Sequence, residues 1–345
     1  MNEHEKYMLR CLQLAQSGLG EVAPNPLVGA VLVCNEKIIG EGWHKKFGTA
    51  HAEVNCINSV RNEHKHLISK STLYVNLEPC NHFGKTPPCS LLVLEKQIKN
   101  VVVGSADPNP AVSGSGIKQL RDSGVTVIES ILPEQCNFLN RRFFTFHRKK
   151  RPFVILKMAQ SADGFIAPTN QQQLWLTNKF SQRLSHRWRT EEQAILVGKN
   201  TALIDNPELT ARLWKGKNPL RIVIDKNNAI PSSNKLFNDA ANTLVFNALK
   251  TDKQQHIEWQ QISFTENVPQ QILNELYKRN IQSVIIEGGA ITAQHFLQEN
   301  LVDEVRLITA PCHLENGIKT PDFSGKLHDK FLLQKDVIEI FTTSL

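Results

Sequence analysis

The chain has 345 residues, of which 41% are hydrophobic and 21% are charged, so a disordered or fibrous protein is excluded. Forty Lys and Arg residues against 33 Asp and Glu residues give a net charge of +7, which suits an anionic small molecule or RNA. No apolar run approaches the roughly 18 residues that a membrane span needs.

The cysteine content indicates the compartment. The seven cysteines are an odd number, and the N-terminus has an amphipathic helical pattern instead of the apolar core of a secretory signal. Both features are typical of a reducing environment. We therefore expect a cytoplasmic protein with neither a membrane nor a nucleic acid as its partner.

The first 147 residues alternate between helical and strand patterns. In chain order the pattern predicts a helix at 3–17, strands at 27–34 and 37–43, a helix at 52–61, a strand at 72–77, a helix at 90–99, a strand at 100–104, a helix at 116–123, a strand at 125–129 and a helix from 134. Apolar strands that alternate with helices indicate a sheet covered on both faces. We expect one α/β domain over residues 1–147.

A basic segment at 147–152, which ends in Pro152, is the expected domain boundary. We interpret the dense Arg and Lys residues between 141 and 151 as a solvated linker and not as a nucleic-acid surface. The alternation then resumes with a strand at 153–160, a helix at 179–189, strands at 193–197, 220–225 and 243–246, a helix at 269–279, a strand at 283–287, a helix at 291–298 and a strand at 304–310. This predicts a second α/β domain over residues 148–345.

Three residues of the first domain form a candidate metal site. His51 begins a predicted helix, Cys80 follows a predicted strand, and Cys89 comes nine residues later. Three protein ligands leave one coordination position for water, as is typical of catalytic zinc. Glu53 is spaced to lie near that water as a proton carrier. The His-x-Glu and Pro-Cys pairs belong to the signature of zinc nucleobase deaminases, although eight residues, and not two, separate the cysteines here.

Three alternatives stay open at this point. With His82 as a fourth ligand, the site would be structural. The chain could also be a non-catalytic, zinc-stabilised ligand-binding protein, although such a protein has no need of Glu53. An RNA-editing zinc deaminase with a basic RNA-binding C-terminal domain would keep the same chemistry, but the chain lacks an aromatic-rich RNA motif.

The second half offers one local motif for an anionic ligand. No Gly-x-Gly-x-x-Gly follows a strand, so an ordinary Rossmann site is not supported. Residues 283–290 instead run from a strand through Gly288-Gly289 towards a helix. Glycines at such a turn let backbone N–H groups approach a phosphate, although a tight turn alone explains them equally well.

Longer motifs resemble a known family. The segments Asn25-Pro26, His51-Ala52-Glu53, 79–89 (PCNHFGKTPPC) and 107–110 (DPNP) together resemble the bifunctional riboflavin-biosynthesis deaminase–reductases of bacteria. The long spacer that ends in Thr-Pro-Pro-Cys is distinctive among zinc deaminases. Segments 156–164, 194–212 and 287–289 resemble the reductase half. The resemblance implies a cytidine-deaminase-like three-layer α/β/α domain followed by a dihydrofolate-reductase-like α/β domain.

The resemblance also implies the chemistry of the first domain. The expected reaction is zinc-dependent hydrolytic deamination of 2,5-diamino-6-(5-phosphoribosylamino)pyrimidin-4(3H)-one. One Zn²⁺ per chain would be bound by His51, Cys80 and Cys89, with Glu53 as the proton shuttle. The implied substrate contacts are Asn25, His44, His82 and Lys85.

For the second domain the resemblance implies NADPH-dependent reduction of the ribosyl to the ribityl side chain. The implied substrate contacts are Arg189, Leu209, Arg212 and Glu287. The implied NADPH site consists of Ala159, Trp175, Thr201, Asp205, Gly289, Ala290, Ile291, Thr292, Ala293, Gln294 and His295. The proton donor stays open among Lys157, Asp205 and Glu287. We expect a homo-oligomer, either a dimer or a tetramer, that acts on a phosphorylated pyrimidine.

The chain departs from the family pattern at three positions. Gln173 replaces a serine that contacts substrate, Asn206 replaces a second Asp before Pro207, and Lys226 stands where Ser is frequent. These changes affect the expected contacts to substrate and cofactor but not the zinc-site pattern.

Overall fold

The computed structural model describes residues 2–83, 87–109, 113–170 and 174–343. The chain divides into two compact units, Met1–Lys150 and Arg151–Leu345, and the division lies inside the basic segment 147–152. Each unit has its own apolar core. Among the described residues, no helix is both long and apolar enough to span a membrane.

The first unit contains one five-stranded sheet. Its strands are β1 (Gly29–Cys34), β2 (Lys37–Trp43), β3 (Thr72–Val75), β4 (Asn100–Val103) and β5 (Thr126–Ile128). Its helices are α1 (Glu3–Gln16), α2 (Ala52–Asn58), α3 (Cys89–Glu95), α4 (Ser115–Asp122), α5 (Pro133–Leu139) and α6 (Arg141–Lys149), with a 3₁₀ helix at Asn62–Lys70. The strand order is β2-β1-β3-β4-β5. Strand β1 is antiparallel to both neighbours, whereas β3, β4 and β5 are parallel.

Strand β1 shows why helices must cover both faces of this sheet. All six of its residues are buried, and successive side chains point to opposite faces. Ala30 and Leu32 pack with residues of α2, α3 and α4, whereas Val31 and Val33 pack with residues of α1 and α5. The three-layer α/β/α architecture predicted for this half is therefore confirmed.

The basic run is a helix, so its interpretation as a solvated linker was wrong. Helix α6 buries Phe143, Phe144 and Phe146, which form an apolar face between the charged residues of this segment. The guanidinium of Arg148 lies over the Phe144 ring at 4.6 Å. Aromatic residues at helical spacing therefore determine the structure of this segment, and the basic side chains occupy the remaining faces.

The second unit is built on a ten-stranded sheet. The strands described in this unit, of which β7 and β15 lie outside the large sheet, are β6 (Phe153–Gln160), β7 (Phe165–Ala167), β8 (Ala194–Gly198), β9 (Leu220–Ile224), β10 (Thr243–Asn247), β11 (Asp252–Gln254), β12 (Ile257–Gln261), β13 (Ser283–Ile286), β14 (Glu304–Thr309), β15 (Ile318–Lys319), β16 (Lys326–Leu333) and β17 (Asp336–Thr342). The helices are α7 (Lys179–Glu191), α8 (Lys199–Asp205), α9 (Val268–Lys278) and α10 (Ala290–Gln298), with a 3₁₀ helix at Lys235–Phe237.

The order of this sheet is β11-β12-β10-β9-β8-β13-β6-β14-β17-β16, while β7 pairs with β15 separately. The seven strands from β12 to β14 in this order run parallel to one another. Separate apolar clusters cover the two faces, one around Leu156 and Ile286 and the other around Ile155 and Ile285. The carboxyl ends of the parallel strands meet at one edge, which is where ligands bind in sheets of this kind.

The sequence predictions missed several elements of the second unit. The described structure adds helix α8 and six strands, namely β7, β11, β12, β15, β16 and β17. Strand β16 has no fully buried residue, and its long apolar side chains are exposed, Leu332 by 70%. It therefore lacks the alternation of buried and exposed positions on which the sequence predictions depended.

Candidate active sites

The three predicted zinc ligands converge in the structure. His51 directly precedes α2, Cys80 lies in the loop between β3 and α3, and Cys89 is the first residue of α3. The Nδ1 atom of His51 lies 3.5 Å from Sγ of Cys80 and 3.4 Å from Sγ of Cys89. All three ligand atoms lie within 4.8 Å of one another.

The donor set fits zinc. In tetrahedral sites zinc binds His nitrogen at about 2.0–2.1 Å and Cys sulfur at about 2.3 Å, which separates the two atoms by about 3.5 Å. The observed distances from nitrogen to sulfur agree with this value. Among the residues that the structure describes, His51, Cys80 and Cys89 alone form such a cluster. His82, considered as a fourth ligand, is exposed and lies outside it.

The cluster favours the thiolate form of Cys80. A hydrogen bond from the Cys89 thiol lowers the pKa of Cys80 to about 4 against the opposing effect of burial, and His51 adds to the shift. The backbone N–H of Cys89 also donates to Sγ of Cys80 at 3.4 Å. The thiolate is the form of cysteine that binds metals.

Glu53 lies beside the cluster in the first turn of α2, where it is 3% exposed. Burial raises the pKa of its carboxyl group, and the nearby Cys80 raises it further. A carboxyl group with a raised pKa takes up a proton more readily than an exposed glutamate. The position and environment of Glu53 therefore suit the uptake and release of a proton, as the sequence predicted.

Glu78, which the sequence analysis overlooked, anchors the loop that carries Cys80. Its carboxylate is 4% exposed and accepts four backbone hydrogen bonds of 3.0–3.3 Å, three of them from the beginning of α4. The donors are the N–H groups of Asp107, Gly114, Gly116 and Ile117. A side chain at Gly116 would place its Cβ 2.0 Å from the Pro79 carbonyl oxygen, so the loop and the helix approach closely only because this residue is glycine.

Asn25 and His44 form a hydrogen-bonded pair beside His51. The Nδ1–H of His44 donates to the Ala50 carbonyl at 3.1 Å, so Nε2 accepts from the Asn25 amide at 3.1 Å. Burial lowers the pKa of His44, which keeps the ring neutral. The ring stands edge-on to that of His51, with 5.4 Å between their centroids. These two predicted substrate residues therefore lie at the metal cluster.

Two further residues, His82 and Lys85, were predicted to contact the substrate at this site. His82 is exposed, and Lys85 lies outside the described residues. Asp107, which was not predicted, is 7% exposed, and burial raises its pKa to about 6. The Asp-Pro-Asn-Pro motif was the sequence signal that could have identified it.

A cavity of about 1120 Å³ opens at the carboxyl ends of the parallel strands in the second unit. Most of the residues predicted for this site line it: Ala159, Trp175, Arg189, Thr201, Asp205, Leu209, Arg212, Glu287, Gly289, Ala290, Ile291, Thr292 and His295. Ala293 instead belongs to the apolar core. Gln294 lines a separate, shallower cavity.

One buried charge cluster dominates this cavity. Arg189 donates to both carboxylate oxygens of Glu287, at 2.9 and 2.8 Å, and Lys157 lies 3.8 Å from the same carboxylate. Burial would raise the pKa of Glu287, but Arg189 and Lys157 outweigh it and bring the pKa to about 2. Burial lowers the pKa of Lys157, although Glu287 opposes this shift. The cluster therefore holds Glu287 as an anion within a net positive region.

The turns after β8 and β13 lie side by side. Strands β8 and β13 are parallel neighbours, so Gly198 and Gly288-Gly289 leave the sheet at the same edge. The backbone N–H of Gly289 donates to Oγ1 of Thr201 at 2.9 Å. A side chain at Gly198 would place its Cβ 2.4 Å from the Thr292 hydroxyl. Glycine thus permits the close approach of the two turns, which form one wall of the cavity.

The family departures have defined places in the structure, except for Gln173, which lies outside the described residues. Asn206 ends α8 with a positive φ of 42°, and its side chain accepts from the Lys235 N–H at 2.8 Å. Asparagine tolerates this backbone conformation well. Lys226 is exposed, and its ammonium lies 5.8 Å from the ring of Phe264, which lines the cavity.

Two protein families match the two halves of the chain. Residues 1–105 match the cytidine and deoxycytidylate deaminase zinc-binding region. Residues 152–335 match the RibD C-terminal domain. The fold and both sites therefore belong to a two-part enzyme, with a zinc deaminase followed by a reductase.

Similar full-length proteins narrow this class. The chain is 39% identical to riboflavin biosynthesis protein RibD of Actinobacillus pleuropneumoniae over 88% of this chain and 83% of that protein. It is 37% identical to RibD of Aquifex aeolicus over 97% of this chain and 95% of that protein. A diaminohydroxyphosphoribosylaminopyrimidine deaminase/5-amino-6-(5-phosphoribosylamino)uracil reductase from Thermotoga maritima is 36% identical in sequence, covers 99% of both chains and has a TM-score of 0.90.

The chain belongs to the RibD family of riboflavin biosynthesis. It is a bifunctional enzyme with a zinc-dependent deaminase activity and an NADPH-dependent reductase activity. The deaminase-like and reductase-like folds expected from the sequence are confirmed. The RNA-editing and non-catalytic alternatives are not favoured by these relatives.

The Glu78 anchor generates the first prediction. Glu78→Gln replaces one acceptor oxygen with an NH₂ group that faces backbone donors, so the Cys80 loop should shift and zinc affinity should fall by about 10- to 100-fold. Competition with a chromophoric chelator measures this change. Glu95→Gln, at an exposed position, is the matched control and should bind zinc like the wild type. Equal zinc affinity in both variants would show that Glu78 does not position the ligand.

Proposed function

We propose that residues 1–147 deaminate 2,5-diamino-6-(5-phosphoribosylamino)pyrimidin-4(3H)-one and that residues 148–345 then reduce its ribosyl side chain to ribityl. The observation that carries the proposal is the cluster of His51, Cys80 and Cys89 with Glu53 beside it. The substrate assignment is supported by the Thermotoga maritima protein of the same fold, whose name specifies these two activities.

In the first step, different residues bind the metal, transfer the proton and contact the substrate. Zinc, when bound by His51, Cys80 and Cys89, lowers the pKa of water so that hydroxide is available near neutral pH. Glu53 takes up the proton of this water and delivers it to the departing amine. The neutral His44 accepts from the Asn25 amide and so orients it, and the remaining amide groups of Asn25 suit the edge of a pyrimidine ring.

In the second step the large cavity accommodates two ligands. Its volume of about 1120 Å³ exceeds the range of about 300–1,000 Å³ usual for one small-molecule site. NADPH, when bound, supplies hydride to the sugar carbon. The N-terminus of α10, which follows Gly289, offers the backbone N–H groups of its first turn to the cofactor phosphates. Arg212 is half exposed, and Glu208 lies 3.8 Å from its guanidinium, which is too far for a strong hydrogen bond. Arg212 is therefore available for the substrate phosphate.

The charge cluster narrows the choice of proton donor in this step. Glu287, with a pKa of about 2, has no proton to give at neutral pH. Lys157 contacts Glu287, and its burial lowers its pKa towards the range of a useful acid. Asp205 lines the same cavity, and burial raises its pKa. The donor is therefore Lys157 or Asp205, while Glu287 holds Arg189 and Lys157 in position.

Two further proposals concern the setting of the enzyme. It works in the cytoplasm, which is supported by seven free cysteines, as is typical of a reducing compartment. It forms a homo-oligomer, either a dimer or a tetramer. This is supported by the exposed apolar side chains of β16, an edge strand of the large sheet. They are Leu327, Phe331 and Leu332.

The role of Glu53 can be tested by a substitution that preserves shape. Glu53→Gln should keep zinc and reduce deamination by at least about 100-fold, because the amide cannot carry the proton. Incubation with the diamino substrate, followed by mass analysis, measures the product. Reduction of added deaminated substrate by the same sample should be unaffected, which controls for folding of the second unit. Unchanged deamination in the variant would refute the role of Glu53.

The NADPH site can be tested by binding. Trp175 lines the cavity and is 65% exposed, so bound NADPH should quench its fluorescence by energy transfer. Trp175→Phe should lose most of the NADPH-dependent quenching, whereas Trp43→Phe, in β2 of the other unit, should retain it. Titration of tryptophan emission measures both variants. Equal quenching in both would place the cofactor elsewhere.

The oligomeric state can be tested at β16. Light scattering of the wild type should give a mass of two or four chains. Leu332→Glu places a charge on an exposed apolar position, so it should shift the protein towards a smaller species if this strand forms the contact. Lys326→Gln, on the same strand, changes the net charge by the same amount and is the matched control. A wild-type mass of one chain would contradict the proposal.

A further inference from the structure

His186, which the sequence analysis did not single out, lies inside the second cavity. It is on α7, one turn before Arg189, and lines the cavity although it is only 5% exposed. The backbone N–H of Leu213, the residue after Arg212, donates to Nδ1 of His186 at 3.5 Å. The imidazole therefore lies near both arginines expected to contact substrate, close enough for their charges to affect it.

The hydrogen bond from Leu213 defines the state of the ring. Because Nδ1 accepts a hydrogen, Nε2 carries the proton of the neutral imidazole. Burial, together with Arg189 and Arg212, lowers the pKa of His186 to about 4, so the ring stays neutral near pH 7. Among the described residues, none accepts a hydrogen bond from Nε2. His186 thus carries an N–H donor that has no acceptor among the described residues, on the wall of a ligand cavity.

The cations near His186 make this end of the cavity suitable for an anionic ligand. Arg189 uses three of its five N–H groups, two on Glu287 and one on the Thr210 carbonyl, so two remain. Glu287 also neutralises one of the positive charges of Arg189 and Lys157. Arg212 contributes a further cation, which is half exposed and lies 3.8 Å from Glu208. This end of the cavity is therefore net positive and suits a phosphate, which has more acceptor positions than Arg212 alone can fill.

We infer that Nε2–H of His186 binds the phosphate of the reductase substrate, together with Arg212. This inference rests on the proposed reductase function and adds a substrate-binding residue to it. A neutral imidazole contributes a directed donor without adding repulsion to a region that already holds Lys157, Arg189 and Arg212. The ligand class is a sugar phosphate monoester.

The experiment compares His186→Phe, which removes the donor, with His186→Gln, whose amide can accept from Leu213 and still donate to a phosphate. In the full-length enzyme, His186→Phe should raise the KM for the deaminated phosphorylated substrate by about 10- to 100-fold, which is the effect of losing one hydrogen bond to a charged group. The kcat should change much less. His186→Gln should retain a KM near that of the wild type.

Two controls separate a phosphate contact from a general effect on folding. With the dephosphorylated substrate, the wild type and His186→Phe should have the same KM. The Kd of NADPH, measured by its fluorescence, should be the same in both proteins. A second measurement uses wild-type enzyme labelled with ¹⁵N-histidine, in which ribose 5-phosphate should shift the Nε2 resonance of His186 and ribose should not. The resonance is assigned by its absence in His186→Gln.

The outcomes distinguish this inference from the proposed function. An active wild type with an unaltered KM in His186→Phe, or an equal KM increase with both substrates, would overturn the role of His186 alone. A weakened Kd for NADPH with an unchanged substrate KM would assign His186 to the cofactor and also overturn it. A wild type that binds NADPH but does not oxidise it with the deaminated substrate would overturn the proposed function and this inference with it.

Discussion

Both units of this enzyme depend on a buried carboxylate whose charge is compensated within the fold. Removing an ionised carboxylate from water is costly unless donors or cations replace its hydration. Glu78 is compensated by four backbone N–H groups, and Glu287 by Arg189 and Lys157. Each of these contacts ties a turn at the carboxyl end of a strand to a neighbouring element, and the ligand-binding residues extend from the same turns.

Glu53 and Glu287 are both buried, yet the pKa of the Glu53 carboxyl group is raised and that of Glu287 is lowered. Burial by itself raises the pKa of both carboxyl groups. Glu53 is close to Cys80, which raises its pKa further, so it is suited to take up and release a proton. Glu287 is paired with Arg189 and Lys157, which lower its pKa to about 2, so it remains charged and organises the cations around it. The surrounding charges, and not burial, therefore distinguish a proton carrier from a structural anion.

Elements of the fold were predictable where buried residues form a clear apolar pattern along the sequence. Strands β2 and β6 were predicted with the boundaries that they have, and β1 to within two residues, because each has a clear apolar pattern bounded by turn residues. Helix α8 was missed because its seven residues contain one fully buried side chain, Ala202. Strand β16 is stabilised by its ladder with β17 and not by buried side chains, and such pairing between strands leaves no periodic signal in a sequence.

The sites were predictable where function requires a particular side chain at a particular spacing. His51, Cys80 and Cys89 are such residues, since metal ligation needs imidazole and thiolate groups, and the structure brings them together. Glu78 was not, because what identifies it is its contact with backbone N–H groups far away in the sequence. Any residue can supply a backbone N–H group, so its partner is determined by the path of the chain. A sequence therefore names the groups that perform the chemistry, whereas the residues that hold those groups in place become visible only once the chain is folded.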